Sequence, residues 1–243
     1  MSAGAPEPFT GEVADPAAAA EVGPAYVEAV GKVVLSHVRN ELAGAAVFDE
    51  PAIALAPGPR EKWLACRIAM EEYGHHLRFS RLASELGVED RGRPLSVFDF
   101  ELRSWIEFVV LKAVVDLAEV VLMEELLGAS YLPLRDLSAK LLPEEHFHVS
   151  FGRAQAKDLA SRPEHRDELQ RAVDDLVGLT VPFFGRSSSA NNEAYRRWGV
   201  KARTNDESRA EWAGRARRLV TEDLGLSFPD VALTWDGGVG ATR

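Results

Sequence analysis

Apolar residues recur at helical spacing along most of this chain. Between positions 30 and 42, for example, Val30, Val33, Val34, Val38 and Leu42 repeat every three or four residues, which is the period of one face of an α-helix. No pattern of alternating apolar and polar residues stands out, so the sequence predicts an all-α fold. The long predicted helices cover residues 24–47, 60–86, 99–127, 134–159, 166–181 and 206–223.

The predicted helices fall into a bundle and an extension. The third helix is apolar nearly all round, so we expect it to be buried on most sides. Gly128 and Pro133 separate it from the fourth helix. We predict a flexible N-terminal tail over 1–22, which is rich in Ala, Pro and Gly, and a four-helix bundle over 23–160. A helical C-terminal extension over 161–225 and a tail over 226–243 complete the chain.

Two of the predicted helices carry the same motif, a glutamate followed three residues later by a histidine. The second helix contains Glu72 and His75, and the fourth contains Glu145 and His148. This spacing puts both side chains on one helix face, one turn apart. Two such helices, with an acidic residue on each remaining helix, are typical of a carboxylate-bridged two-metal site in a ferritin-like four-helix bundle.

The surroundings of the first motif bear on whether it binds metal. A buried carboxylate is costly unless it is paired or coordinates a metal, so apolar neighbours favour metal. The alternative is that Glu72 lies at the surface and pairs with Arg78 or Lys62. Glu71 and Glu144, which precede the two motif glutamates, are expected to be exposed. The apolar residues expected around Glu72 and His75 are Leu64, Ile68, Met70 and Leu77.

The remaining two helices supply candidate carboxylates. Glu41 is the candidate in the first helix and Asp116 in the third. Asp116 lies twelve residues before Gly128 and Glu145 twelve after Pro133, so both are about 18 Å from the turn between their helices. Their side chains can therefore meet at one level of the bundle.

Three neighbours leave alternatives open. Glu119 is one turn from Asp116 and can replace or support it. Lys112 precedes Asp116 by four residues, so a plain ion pair within the helix is an alternative role for that aspartate. His37, one turn before Glu41, either supports the site from behind or is an ordinary core histidine.

Composition narrows the choice of metal and of compartment. Two imidazoles with four carboxylates form a hard donor set that suits iron, with manganese as the alternative. Cys66 is the only cysteine, so a thiolate zinc site and an internal disulfide are both excluded. The net charge of −10 argues against nucleic-acid binding. Residues 1–10 contain no signal-peptide pattern, and charges within 108–127 argue against a membrane span, so we expect a cytoplasmic protein.

Several motifs together resemble one known family. The similarity covers roughly residues 30–235, and one matching stretch, 197–206, lies far from the proposed metal ligands. The chain resembles the catalytic A subunits of bacterial phenylacetyl-CoA 1,2-epoxidases, which are di-iron monooxygenases of ferritin-like fold. The matching segments are Asn40-Glu41, Glu71-Glu72-Tyr73-Gly74-His75, Val115-Asp116, Ser130-Tyr131, Glu144-Glu145-His146-Phe147-His148 and 197–206.

The resemblance implies a ligand set, a reaction and partners. It favours Asp116 over Glu119 and implies that two iron ions are bound by Glu41, Glu72, His75, Asp116, Glu145 and His148. The implied reaction inserts one oxygen atom of O₂ into an aromatic ring held as a CoA thioester. Electrons would come from a separate reductase, and the chain would form a heteromer with a C-type ferritin-like subunit; a homodimer is the alternative.

Two points leave the substrate open. The family is expected to carry a longer tail after residue 236, which affects the expected partner interface. Lys201 and Arg203 are candidates to contact CoA phosphates, the alternative being a solvated basic patch at a helix end. The alternative functions are a stand-alone di-iron oxygenase acting on another small molecule, and a non-catalytic ferritin-like scaffold or iron-handling protein.

Overall fold

The computed structural model describes residues 8–89, 92 and 94–237, and within these the chain is all-α, as predicted. The described residues contain one isolated β-bridge, between Val13 and Tyr131. The helices are α1 (Pro16–Val22), α2 (Pro24–Gly44), α3 (Glu50–Leu55), α4 (Pro59–Glu85), α5 (Trp105–Val114), α6 (Asp116–Leu126), α7 (Leu132–Ala160), α8 (Arg166–Thr180), α9 (Ala190–Arg197) and α10 (Asn205–Arg218).

Four helical rods form the bundle that carries the site. Helix α2 packs along α4, while α5 and α6 together pack along α7, and α4 also contacts α7. The apolar faces of these helices meet in the interior, which is consistent with a ferritin-like bundle. Helices α8 and α10 pack against α5 and α6, so the predicted C-terminal extension covers the third rod.

The third rod differs from the prediction, because 99–127 is not one continuous helix. Its first helix starts at Trp105, where Ser104 and Glu107 form a reciprocal cap. The rod is then interrupted at Val115, where the Ala118 amide donates to the Val115 carbonyl three residues back. The indole nitrogen of Trp212 donates to the neighbouring Val114 carbonyl at 2.8 Å. The interruption therefore comes directly before Asp116 and is stabilised by α10.

A second departure follows α2. The helix predicted to end at residue 47 instead continues through a π-helical turn, Ala45–Asp49, into α3. The wider turn brings Phe48 and Asp49 into the interior, where they are 2 % and 1 % exposed. A buried carboxylate in this position requires a cationic partner, which the site supplies.

Close contact between α5 and α7 depends on one glycine. A Cβ built on Gly152 would lie 2.5 Å from the backbone nitrogen of Ala113 and 2.7 Å from the carbonyl oxygen of Val109. Because both are backbone atoms, only glycine allows α7 to approach α5 this closely.

The chain ends also depart from the prediction. Residues 8–22 of the predicted loose tail contain α1, capped by the Asp15 side chain, and Val13 is 2 % exposed, so the expectation of a flexible tail is corrected for this stretch.

Helix α9 was not predicted, because the Ser- and Asn-rich sequence before it suggested only a loop. Residues 1–7 and 238–243 lie outside the described residues. Among the described helices, none is both long and apolar enough to cross a membrane.

Candidate metal centre

The six side chains predicted to bind metal meet in one buried cluster. None is more than 9 % exposed, and together they come from all four rods of the bundle. Their donor atoms form two sets, and the atoms of each set lie within 4.8 Å of one another. Glu72 and Glu145 belong to both sets. The first set is Glu41, Glu72, His75 and Glu145, and the second is Glu72, Asp116, Glu145 and His148.

Both histidines turn the same ring nitrogen towards the cluster. His75 Nδ1 lies 2.9 Å from a Glu145 oxygen and 3.6 Å from a Glu41 oxygen. His148 Nδ1 lies 3.2 Å from Glu72 and 3.9 Å from Asp116. The arrangement has an approximate two-fold character, in which each histidine belongs to one donor set and the two glutamates are shared.

The buried donor atoms fit metal ions. Five of them are buried and make no hydrogen bond within the described residues, although one of the five, Asp116 Oδ2, forms an ion pair with Lys112; the others are Glu41 Oε1, His75 Nδ1, Glu145 Oε1 and His148 Nδ1. Buried polar atoms are normally hydrogen-bonded, so a convergent group without such bonds needs another partner. Cations placed between these oxygen and nitrogen atoms would satisfy them, and the donor types suit iron or manganese.

The outer nitrogens of the histidines are held across the α4–α7 contact. His75 Nε2–H donates to Glu144 at 2.8 Å, and His148 Nε2–H donates to Glu71 at 3.0 Å. Each outer glutamate is half-buried and sits on the helix opposite to its histidine. The expectation that Glu71 and Glu144 are simply exposed is therefore wrong. Such bonds fix the ring orientation and leave Nδ1 available to bind a metal ion.

Lys112 occupies the edge of the second donor set. Its ammonium is 2.6 Å from Asp49, 3.1 Å from Glu72 and 3.0 Å from Asp116, and the side chain is 2 % exposed. The ion pair with Asp116, considered as an alternative role, is present, yet the same aspartate also belongs to the donor set. Burial alone would lower the pKa of Lys112, but the three carboxylates outweigh it and raise the pKa. The ammonium therefore remains charged.

Lys112→Met should make the metal-free protein much less stable. The substitution leaves the buried Asp49, Glu72 and Asp116 without their shared cation, which costs about 3–5 kcal/mol when a buried ion pair is broken from one side. Added Mn²⁺ should recover part of the loss, because a dication near the same carboxylates replaces the missing charge. Denaturant unfolding with chelator and with Mn²⁺ measures both effects.

Lys140 provides the matched control for this prediction. It lies exposed on α7, so Lys140→Met should change the stability little under either condition. Equal stability losses in the two variants would contradict the role given to the Lys112 charge.

Glu119 lies beside the cluster and pairs with His37. His37 Nδ1 is 3.0 Å from Glu119 and 3.5 Å from Glu41, and its ring stacks on Phe79. Burial alone would lower the pKa of His37, but the two carboxylates raise it to about 9. Glu119 forms a third group with His37 and Glu41 and is absent from both sets that contain the shared glutamates. Asp116, rather than Glu119, therefore belongs to the second donor set. His37 lies outside both sets and contacts Glu41 from the side away from the shared glutamates.

A cavity of about 50 Å³ opens beside the cluster. Carboxylates of both donor sets line one part of it, together with Lys112 and Asp49. Phe48, Phe98 and Phe183 line another part and make it apolar. His75 and His148 are not among its lining residues, so the cavity lies on the side of the cluster away from the α4–α7 contact.

Several predicted side chains lie elsewhere. The Lys201 ammonium is 3.9 Å from Glu125, and burial lowers the pKa of this lysine. The backbone amide of Arg203 donates to Glu125 at 2.6 Å. Neither residue lines the cavity, so a CoA-phosphate role for them stays a prediction. Met70 and Leu77, expected around the first motif, instead face solvent.

Metal loading should release protons. Burial raises the pKa of Glu41 to about 7, although the imidazoles of His37 and His75, 3.5 and 3.6 Å away, act to lower it. Burial alone would lower the pKa of His75 and of His148, but the surrounding carboxylates raise both. The metal-free cluster therefore holds protons at pH 7, and divalent cations must displace them.

We expect release of about two to three protons per chain on loading, from the two imidazoles and Glu41, and an apparent affinity that rises with pH. Calorimetric titration with Mn²⁺ in two buffers of different ionisation enthalpy measures the number released. Binding without proton release would contradict this protonation state.

Comparison with known proteins shows which family and which relative this chain resembles. Residues 15–241 match the family model described as phenylacetic acid catabolic protein, a range that includes all four rods. The chain is also similar to the A subunit of the 1,2-phenylacetyl-CoA epoxidase of Escherichia coli (strain K12). The two are 28 % identical over 232 residues, which cover 90 % of this chain and 74 % of the relative.

Proposed function

This chain belongs to the phenylacetic acid catabolic protein family, and from that membership we propose that it is a di-iron monooxygenase. It would transfer one atom of O₂ to an organic substrate. The observation that supports this most strongly is the pair of overlapping donor sets, which share Glu72 and Glu145 and lie beside a cavity. The similarity to an epoxidase subunit supports the same class of reaction.

The donor sets assign residues to each proposed ion. Glu41 and His75 would hold one ion, Asp116 and His148 would hold the other, and the shared Glu72 and Glu145 would contribute to both. Four carboxylates balance the charge of two divalent irons. Two iron ions held in this way would supply the redox chemistry that activates dioxygen.

The chain's own groups prepare the site for this chemistry. Glu144 and Glu71 accept the Nε2–H of the two histidines and so present Nδ1 to the ions. Lys112 holds Asp116 at the edge of the cluster and keeps the buried Asp49 compensated. Burial of all six ligands keeps bulk water away from the donor atoms.

The proposed substrate class is an aromatic acyl-CoA thioester. Phe48, Phe98 and Phe183 give the cavity an apolar wall suited to an aromatic ring. The relative's name specifies phenylacetyl-CoA, which makes this thioester the first candidate here. One oxygen atom would add across a ring double bond to give an epoxide. The other would leave as water after uptake of two electrons and two protons, the electrons being supplied by a separate reductase.

Isotope labelling tests the proposed reaction. The protein is loaded with Fe²⁺ without oxygen, reduced chemically in place of the reductase, and mixed with phenylacetyl-CoA under ¹⁸O₂. Mass spectrometry should show an acyl-CoA product that contains one ¹⁸O atom, and Glu145→Ala should form none. Chemical reduction and a purified thioester separate the oxygenation step from electron delivery.

Other outcomes distinguish the alternatives. Rapid O₂ consumption without change to phenylacetyl-CoA, and without its binding by calorimetry, would favour a stand-alone oxygenase for another small molecule. Continued iron uptake with oxidation but no coupled substrate would favour an iron-handling protein. A fully loaded and reduced protein that consumes no O₂ would contradict the oxygenase proposal.

A further inference from the structure

Large apolar side chains form an exposed row on α4. Trp63, Met70 and Leu77 are 64 %, 69 % and 66 % exposed, which makes them half of the six large apolar residues exposed in the described part of the chain. They follow one another at intervals of seven residues. We call the surface formed by these three side chains the α4 stripe. An aligned row of exposed apolar side chains differs from apolar residues scattered singly over a surface and is typical of a binding site for another molecule.

The spacing indicates what shape of partner fits. Apolar residues seven apart form the seam along which two helices pack nearly parallel in a left-handed crossing. The α4 stripe runs over about 21 Å of the helix axis. Gly74 lies between Met70 and Leu77, and a Cβ placed on it would meet no described atom within 4 Å. A straight helix can therefore approach this face closely.

The charges beside the α4 stripe indicate the sign of the partner. The whole chain carries a net charge of −10, but α4 is locally basic. Apart from the buried Glu72, its charged side chains are five basic and three acidic. Three of the basic ones are paired with carboxylates, namely Arg67 with Glu71, Arg78 with Glu144 of α7 and Arg81 with Glu85, so the excess positive charge lies at Arg60 and Lys62. A helix with carboxylates on its flanks would complement this surface. The basic residues are Arg60, Lys62, Arg67, Arg78 and Arg81, and the acidic ones are Glu61, Glu71 and Glu85.

The same charges disfavour a second copy of this chain. Antiparallel pairing of two α4 helices about Met70 brings the end with Arg60 and Lys62 beside the other copy's end with Arg78 and Arg81. Four cations then gather at each end of the contact with only two helix α4 carboxylates, Glu61 and Glu85, so each end keeps a positive excess. Parallel pairing sets each cation beside the same residue of the other chain. In both orientations like charges approach across the interface, which opposes association.

We propose that the α4 stripe is the docking surface for a different polypeptide. The partner covers it with a helix that carries apolar residues at seven-residue intervals and carboxylates on its flanks. Arg67 lies one turn from both Trp63 and Met70 and binds Glu71, which in turn holds His148. The docked helix therefore also shields the outer support of the metal cluster. The inference goes beyond the proposed reaction and does not depend on it.

The single cysteine of the chain allows a direct test. Cys66 is exposed and lies one turn from Trp63 and from Met70, so a helix on the α4 stripe covers its thiol. The probe is a helix-stabilised synthetic peptide with leucine on the seam and glutamate on both flanks. At a peptide concentration about ten times Kd, alkylation of Cys66 by iodoacetamide should slow about tenfold, since only the free protein reacts.

Matched variants separate specific docking from general stickiness. Met70→Glu should abolish the protection, whereas Leu127→Glu, at an exposed leucine away from α4, should keep it. A peptide with lysine in place of glutamate should not protect wild-type protein. It should protect the double variant Lys62→Glu with Arg78→Glu. Circular dichroism checks that each variant is folded.

Three results would overturn the proposal. The first is an unchanged rate of Cys66 alkylation in the presence of the acidic peptide. The second is equal protection of Cys66 by the acidic and the lysine peptides, which would contradict the proposed charge complementarity. The third is a dimer of the chain alone, seen by sedimentation and dissociated by Met70→Glu, which would assign the surface to a second copy. The proposal expects a monomer at micromolar concentration.

Discussion

Glu72→Ala and Glu145→Ala should each abolish binding of both metal ions. Each glutamate belongs to both donor sets, so one substitution removes an oxygen ligand from both proposed ions at once. Because loss of even a supporting group near a metal weakens binding by about 10–100-fold, loss of a shared ligand should exceed that range. Elemental analysis after anaerobic Fe²⁺ loading and desalting should show about two ions per wild-type chain and nearly none in either variant.

Two further variants make this prediction specific. Glu41 belongs to only one of the two sets that contain the shared glutamates, so Glu41→Ala should retain about one ion per chain. Glu85 lies exposed on α4, the helix that carries Glu72, and pairs with Arg81, so Glu85→Ala should bind metal like wild type. Unchanged loading in Glu72→Ala would remove the site altogether.

Gly152→Ala should destabilise the protein strongly and weaken metal binding. The added methyl group would lie 2.5–2.7 Å from backbone atoms of α5, so α5 and α7 must separate. Overpacking of this kind costs on the order of 3 kcal/mol, or about 6–12 °C in Tm for a chain of this size. Because α5 carries Lys112 and leads into Asp116, while α7 carries Glu145 and His148, the second donor set should open as well.

Gly74→Ala is the matched control for Gly152→Ala. Both glycines lie inside helices that carry ligands, but a Cβ at Gly74 meets no described atom within 4 Å. Alanine should therefore raise stability by about 1 kcal/mol through helix propensity alone. Thermal unfolding of the two variants separates the effect of close helix packing on Tm from the effect of helix propensity. Similar Tm shifts of the same sign would contradict the contact described at Gly152.

Most of the prediction of the donor sets followed from helical periodicity. Glu-x-x-His fixes a common face within one helix, and the distances of Asp116 and Glu145 from their shared turn fix a common level. Both properties are local in sequence. The same local geometry should have excluded Met70 from the site, since a residue two positions before Glu72 points to the opposite side of the helix.

The groups that sequence reasoning missed depend on contacts between distant segments. Glu71 supports His148 and Glu144 supports His75 only because α4 packs against α7. A signal was present, since both motifs begin with a doubled glutamate. Asp49 enters through a π-helical turn that no periodicity marks, and its partner Lys112 is far along the chain.

The break before Asp116 could not be predicted from its neighbourhood either. The sequence there is mostly apolar and contains no Gly or Pro, so it favours a continuous helix. The interruption is stabilised by Trp212, which lies 98 residues after Val114 and reaches its carbonyl through the packing of α10. Helix propensity is a local property, and tertiary contacts override it at this point.

Anomalous diffraction from crystals of the Fe²⁺-loaded protein tests the central claim most directly. Two peaks are expected about 3.5–4 Å apart, with Glu72 and Glu145 between them, His75 and Glu41 beside one, and His148 and Asp116 beside the other. A single peak, or peaks only beside His37 and Glu119, would contradict a two-ion centre built on the shared glutamates.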